Sequence, residues 1–268
     1  MKKKLSLLFV LLLISLQTFP VKAAGDEKYL LLGDSIAVGT GTLNPQIYRY
    51  GRLVADDMGF EEINLAVNGY TTTDLLSLVN NSDNSQYITS ADYIQISICG
   101  NNFLHSSPAS LIASALRGDY SQANAITESA LSELETIVAK IRVLNSDAVL
   151  LLQTLYNPYS SVNKKAVSKA LEGLNSGIEK ISEDDGNAYI VDVFSAFEGH
   201  LDYIADDTIH PNENGHKVIA EITEETLNGI GNGKKSDSSF SFDPAMLVIA
   251  FAAVVIVILI IKKITGKP

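Results

Sequence analysis

Four short polar segments interrupt an otherwise apolar-rich chain: Gly33-Asp34-Ser35-Ile36, Asn68-Gly69, Cys99-Gly100-Asn101-Asn102 and Asp206-Asp207-Thr208-Ile209-His210. Together they hold the groups needed to attack a carbonyl carbon. A serine hydroxyl is a weak nucleophile at its own pKa and needs a base within hydrogen-bond reach. The base needs a third group that fixes its tautomer and stabilises its cation. Ser35, His210 and Asp207 are the candidates for these three duties, and the Asp-x-x-His spacing lets one turn bring the carboxylate to the imidazole. Pro211 and Asn212 then stop that turn and cap the next helix. An oxyanion needs donors already in place. The backbone N–H of Ser35, the backbone N–H of Gly69, where a missing side chain permits close approach, and the side-chain amide of Asn101 are the candidates.

These segments follow apolar runs too short for helices: Tyr29 to Leu32, Ile63 to Val67, Tyr93 to Ile98, Ala148 to Leu152 and Tyr189 to Val193. Such runs read as strands buried on both faces. Between and after them lie helical stretches, Tyr48 to Met58, Thr72 to Leu78, Thr127 to Leu144, Ala166 to Ile181 and Glu213 to Leu227. Alternating strands and helices imply a parallel open sheet with helices on both faces, an α/β architecture. Ligands in such sheets bind beyond the carboxyl ends of the strands, where the polar segments fall.

In order and spacing, Gly33-Asp34-Ser35-Ile36, Gly69, Cys99-Gly100-Asn101-Asn102 and Asp207 to His210 resemble the four sequence blocks of the SGNH hydrolases, also called GDSL lipases or acylhydrolases. The resemblance implies a flavodoxin-like three-layer α/β/α sandwich on a five-stranded parallel sheet. It implies Ser35 as nucleophile, Asp207 and His210 as its partners, Ser35, Gly69 and Asn101 as the oxyanion hole, and no metal or cofactor. Two departures stand out. The third block is usually Gly-x-Asn-Asp, whereas here Cys99 replaces the glycine and Asn102 the aspartate. A shifted register would make Gly100 the block's glycine and Asn102 the donor; the flanking Ile96-Ser97-Ile98 and Phe103-Leu104 favour Asn101.

The ends of the chain differ from its middle. Residues 1–23 combine Lys2, Lys3 and Lys4, an apolar run from Leu5 to Leu16, Pro20 and Val21-Lys22-Ala23, the pattern of a cleaved secretory signal. Ala245 to Ile261 is a run of 17 uncharged residues followed by Lys262-Lys263, about 25 Å as a helix. The expected order is therefore a signal peptide at 1–23, a hydrolase domain at 24–228, a Gly/Ser-rich flexible tether at 229–243, a transmembrane helix at 244–263 and a short cytoplasmic tail at 264–268. This places the domain outside the cell on a single-pass membrane anchor. Residues 24–243 carry 13 basic against all 31 acidic residues, which argues against a nucleic-acid partner. No obligate protein partner is implied.

The remaining polar residues read more plainly. Asp34 is expected to accept from nearby backbone N–H groups. His105 and His216 lack a two-histidine metal spacing and read as surface or helix-packing residues, and His200 has no assigned place. The acid pairs Asp56-Asp57, Glu61-Glu62, Asp184-Asp185 and Glu224-Glu225 read as solvated faces. Gly39-Thr40-Gly41 lacks the residues that complete a phosphate loop. Residues 105–124, with Pro108, Leu111, Ile112, Leu116 and Tyr120, are expected to form a cover, and Phe103, Tyr156 and Tyr159 to line the substrate pocket. The expected activity is hydrolysis of a small-molecule, lipid or glycan ester. An acyltransferase acting on cell-surface glycans and an inactive binding module on the same fold are the alternatives.

Overall fold

A computed structural model describes residues 27–159 and 164–237. Five parallel strands form one sheet in the order β2-β1-β3-β4-β5, with β1 at Lys28–Gly33, β2 at Glu61–Asn64, β3 at Tyr93–Ser97, β4 at Val149–Gln153 and β5 at Ala188–Val191. The helices are α1 (Ser35–Val38), α2 (Pro45–Tyr48), α3 (Tyr50–Met58), α4 (Thr72–Asn80), α5 (Ser85–Ser90), α6 (Gly100–Leu104), α7 (Pro108–Leu116), α8 (Ser121–Leu144), α9 (Lys164–Asp185), α10 (Val193–Ala196) and α11 (Glu213–Asp237). The expected parallel five-stranded α/β fold is the one observed.

Side chains alternate across the sheet because successive strand residues point to opposite faces. Leu30, Leu32, Ile94, Ile96, Leu150 and Leu152 face one way and join Leu75 and Val79 of α4, Leu134, Ile137 and Ile141 of α8, and Leu174 and Ile178 of α9 in the main core. The opposite face is more polar. Tyr29 hydrogen-bonds Gln95, whose amide nitrogen donates to Thr223 at 3.2 Å, and Leu31 packs against Gly51 of α3. Buried polar groups need such partners.

Gly33 ends β1 with φ +132°, and a Cβ there would sit 1.9 Å from the Ser97 carbonyl oxygen. Only glycine lets β1 turn this closely against β3, and Asp34 N–H then donates to that same oxygen at 3.0 Å. The chain thus leaves the sheet directly into α1, with Ser35 at its first residue.

Several expected boundaries move. The helix expected from Tyr48 breaks at Arg49, which is extended at φ −63°, ψ 142° while its guanidinium forms a bidentate pair with Glu62 at 2.7 Å. The second strand begins at Glu61, although Leu65 and Val67 N–H groups still donate to β1 carbonyls at 3.0 and 3.1 Å. The expected cover at 105–124 contains α7 and the start of α8, which begins at Ser121 rather than Thr127. The last helix, expected to stop at Leu227, continues to Asp237, so the first part of the expected tether is helical. Propagation adds a hydrogen bond for every residue fixed, so an established helix runs through a glycine at a cost of about 1 kcal/mol. Among the described residues no helix is long and apolar enough to cross a membrane. The expected signal at 1–23 and membrane span at 244–263 lie outside the described residues.

Candidate active site

Ser35 owes its position to Asp34, which caps α1. Asp34 Oδ1 accepts from Ile36 N–H at 3.1 Å, as expected for a structural acceptor. Burial pushes the Asp34 pKa up to about 7, against the lowering effect of the backbone N–H groups. The first N–H groups of a helix have no partner within it, and the Ser35 N–H enters no hydrogen bond among the described residues.

His210 and Asp207 come from the loop between α10 and α11. Asp207 Oδ1 accepts from Ile209 N–H at 3.0 Å and from His210 N–H at 2.9 Å, while Oδ2 lies 2.6 Å from His210 Nδ1. One carboxylate therefore closes the turn and faces the ring. Closing it forces Thr208 to φ +65°, a left-handed conformation that a β-branched residue rarely adopts. Burial works to raise the Asp207 pKa, but the N–H groups of His210 and Ile209 and the imidazole outweigh it and leave it lowered. The second ring nitrogen, His210 Nε2, lies 2.8 Å from Ser35 Oγ. Tyr156, buried at 6% exposure, donates its O–H to the Ile209 carbonyl at 2.6 Å and so props the loop from below.

The expected oxyanion donors come from other elements. Asn101, 7% exposed in α6, shares a cavity wall with Ser35 and His210 and donates one amide hydrogen to the Tyr70 carbonyl at 2.9 Å, leaving the other for a ligand. Asn102 faces elsewhere, bonded to Thr72. Gly69 lies two residues beyond Val67, whose N–H pairs with Gly33. It is exposed, with φ +82°, and nothing lies within 4 Å of where a Cβ would be. The positive φ of the turn favours glycine there. Cys99 is buried at φ +87°, so a left-handed position that glycine would fill without strain holds a cysteine. Burial, with Asp34 and Glu133 adding, pushes its thiol well above its usual range.

Ser35 and His210 border a cavity of about 140 Å³. The expected residues Phe103, Tyr156 and Tyr159 all line it, with Pro108, Leu111 and Ile112 from the expected cover. Leu116, 58% exposed, and Tyr120 do not. The far wall was missed in the sequence: Val167, Ala170 and Leu171 of α9, with Ala115 of α7 and Ala123 of α8. Its signal was the apolar i, i+3, i+4 spacing of 167, 170 and 171 in a helix that begins at the same sheet edge as Ser35.

The other histidines stand apart. His216 is fully buried, its Nδ1 accepting from Tyr50 N–H at 3.3 Å and its Nε2 lying 3.4 Å from the Thr40 carbonyl. Burial lowers its pKa to about 4. His200 stacks on Tyr203 at the surface, and His105 is exposed after α6. Among the described residues no group of three or more His, Cys, Asp or Glu is placed to hold a metal ion.

A hydroxyl, an imidazole and a carboxylate in hydrogen-bonded series at the carboxyl edge of a parallel sheet are the arrangement that serine hydrolases use. The chain belongs to the GDSL-like lipase/acylhydrolase family, whose profile matches residues 31–218, and is an ester-hydrolysing serine hydrolase. It is 26% identical to the spore germination lipase LipC of Bacillus licheniformis over 205 residues, 72% of this chain and 93% of that protein. A protein of Bacillus subtilis called YpmR is also 26% identical, over 76% of this chain and 82% of its own length. Among solved structures, the lipase Lip_vut3 from a goat rumen metagenome superposes with a TM-score of 0.65 at 24% identity, covering 75% of this chain and 97% of that one.

Proposed function

We propose that this protein is an esterase that cleaves carboxylic esters of apolar acyl chains through an acyl-enzyme on Ser35. The observation that carries the reading is the series Asp207 Oδ2, His210 Nδ1, His210 Nε2, Ser35 Oγ, at 2.6 and 2.8 Å, opening onto an apolar cavity. In the first half-reaction His210 Nε2 takes the Ser35 proton as Oγ bonds the carbonyl carbon. The carbonyl π electrons move to oxygen, and the N–H groups of Ser35 and Gly69 and the free amide hydrogen of Asn101 donate hydrogen bonds to the resulting oxyanion. Asp207 holds the Nδ1–H tautomer and stabilises the imidazolium. Collapse expels the alcohol with the proton from Nε2, and a water molecule repeats the sequence to release the acid.

The cavity supports the acyl preference. Apart from Asp34, Ser35, Asn101, His210 and the tyrosine hydroxyls, its walls are aliphatic or aromatic, and its volume is near that of an engineered void that takes up benzene. The relative LipC is named a lipase, which agrees. The terminal segments outside the described residues support an extracellular, membrane-anchored enzyme.

Hydrolysis of nitrophenyl esters from acetyl to long acyl, by the purified chain and its Ser35→Ala variant, tests this. Turnover that depends on Ser35 and rises with acyl length to about six carbons or more is expected. A rate unchanged in Ser35→Ala would sink the assignment. Ser35-dependent acyl transfer to an added glycan in preference to water would make the enzyme a transferase.

A further inference from the structure

Behind the two donors Gly69 and Asn101 lies a polar cluster that the hydrolytic reaction itself does not use. Thr72, fully buried at the start of α4, donates its backbone N–H to Asn102 Oδ1 at 3.2 Å, and its Oγ1 accepts from Asn102 Nδ2 at 2.8 Å. The same Oγ1 hydrogen-bonds Glu133 of α8, and Thr73 Oγ1 reaches both carboxylate oxygens of Glu133 at 2.9 and 3.0 Å. Next to it, Asn101 ties α6 to the Tyr70 carbonyl. The loop that carries Gly69 and the helix that carries Asn101 are thus joined by paired contacts and backed by one acid.

The direction of each bond is fixed by elimination. A backbone N–H can only donate, so the carbonyl oxygen of Asn102 faces Thr72 N and its amide nitrogen faces Thr72 Oγ1. An ionised carboxylate can only accept, so the single hydroxyl proton of Thr72 points to Glu133. The hydroxyl is left as an acceptor towards residue 102. An amide at 102 supplies both an acceptor for the N–H and a donor for the hydroxyl, which an ionised carboxylate does not. An aspartate there would set two carboxylates against one hydroxyl proton and leave one unpaired in a half-buried place.

We infer that Glu133 is a positioning residue for the oxyanion donors, acting through Thr72 and Asn102, and that it dictates asparagine rather than aspartate at position 102. The inference rests on the proposed roles of Ser35, Gly69 and Asn101. Glu133 sets the polarity of Thr72, Thr72 sets the orientation of Asn102, and Asn102 holds α6 in register with the Gly69 loop. The polarity can be reversed as a unit. When Glu133→Gln is combined with Asn102→Asp, the new amide on α8 donates to Thr72 Oγ1, and the hydroxyl proton turns to the new carboxylate on α6.

The test is a double-mutant cycle of Asn102→Asp and Glu133→Gln in the full chain, reading kcat, KM and Tm for a nitrophenyl ester, with Ser35→Ala alongside. Asn102→Asp is expected to lower kcat about tenfold or more with KM within about twofold. Adding Glu133→Gln is expected to restore most of that loss, a coupling of about tenfold. A folded Asn102→Asp variant with unchanged kcat, or a double variant no better than Asn102→Asp, overturns the inference while Ser35 dependence leaves the catalytic reading intact. If instead Asn102→Asp is too unstable to assay, Thr72→Ser, which keeps the hydroxyl, and Thr72→Val, which removes it, decide. Near-normal kcat in the first and a loss in the second supports the inference, and equal kcat in both overturns it. Activity retained by Ser35→Ala would remove the catalytic reading and this inference with it.

Discussion

The two walls of the active-site cleft are built on different physics. On one side Ser35, Asp207, His210 and Asn101 are placed by hydrogen bonds of 2.6 to 3.1 Å, a capped helix start and a left-handed Thr208. On the other, Leu111, Ile112, Val167 and Leu171 are placed by non-directional apolar contact. The first wall tolerates little displacement, because hydrogen bonds weaken steeply with angle and distance. The second tolerates volume-conserving exchange. Mutations on the polar wall are therefore expected to change the rate for every substrate alike, and those on the apolar wall to change the ranking of substrates.

The largest effect is expected at Asp207. An amide there keeps Oδ1 as acceptor for the two backbone N–H groups but turns an N–H₂ towards His210 Nδ1, which favours the wrong tautomer. Asp207→Asn is expected to lower kcat about 10⁴-fold for short and long esters alike, with the fold retained by circular dichroism. A loss confined to one chain length would break the division between the walls. Asn101→Ala is expected to lower kcat about 10²- to 10³-fold, and a larger effect at Asn102→Ala than at Asn101→Ala would move the donor to Asn102.

Stability should likewise separate two buried titratable groups, His216 and Asp34, whose pKa values are shifted in opposite directions. His216, with its pKa lowered to about 4, is carried neutral in the fold, so the unfolded chain binds the extra proton as pH falls through 6.5 and stability is lost towards pH 4. Asp34, with its pKa raised to about 7, acts oppositely: its contribution is complete below pH 4 and is lost as pH rises towards 7. At about 3–4 kcal/mol each, the two nearly cancel between pH 4 and 6.5. Asp34→Asn, which keeps the cap acceptor, is expected to unmask a rise of about 3 kcal/mol in unfolding free energy over that range by urea titration. A flat profile in Asp34→Asn would show that His216 titrates normally. The smallest effect is on the apolar wall, where Ala115→Phe is expected to lower kcat/KM for long-chain esters about tenfold relative to acetyl esters, or roughly 1.4 kcal/mol. An equal loss for both would place the acyl chain elsewhere.

The polar wall was legible in the sequence because its chemistry is carried by residue type. A serine after one strand and an Asp-x-x-His after the last have few other readings in so apolar a chain. The sheet was legible for a similar reason, since Leu30 to Leu32, Ile94 to Ile96 and Leu150 to Leu152 are too short for helices and too apolar for loops. The apolar wall was only half legible. Val167 and Leu171 look like core residues of any amphipathic helix, and nothing local distinguishes a helix face that packs on the sheet from one that borders a void. Cys99 hid its backbone conformation, because a cysteine in an apolar run gives no sign of a positive φ. Thr72 and Glu133 lie on different helices, and their meeting exists only once α4 and α8 are packed.

The role of Ser35 as a nucleophile at the mouth of an acyl-chain cavity is open to direct chemical trapping. The chain would be reacted with a series of alkyl fluorophosphonates from methyl to octyl, and the adduct mapped by mass spectrometry. A single adduct on Ser35 is expected, abolished in His210→Ala and forming faster as the alkyl chain lengthens into the cavity. An adduct on another residue, or no adduct at any length, would contradict that role.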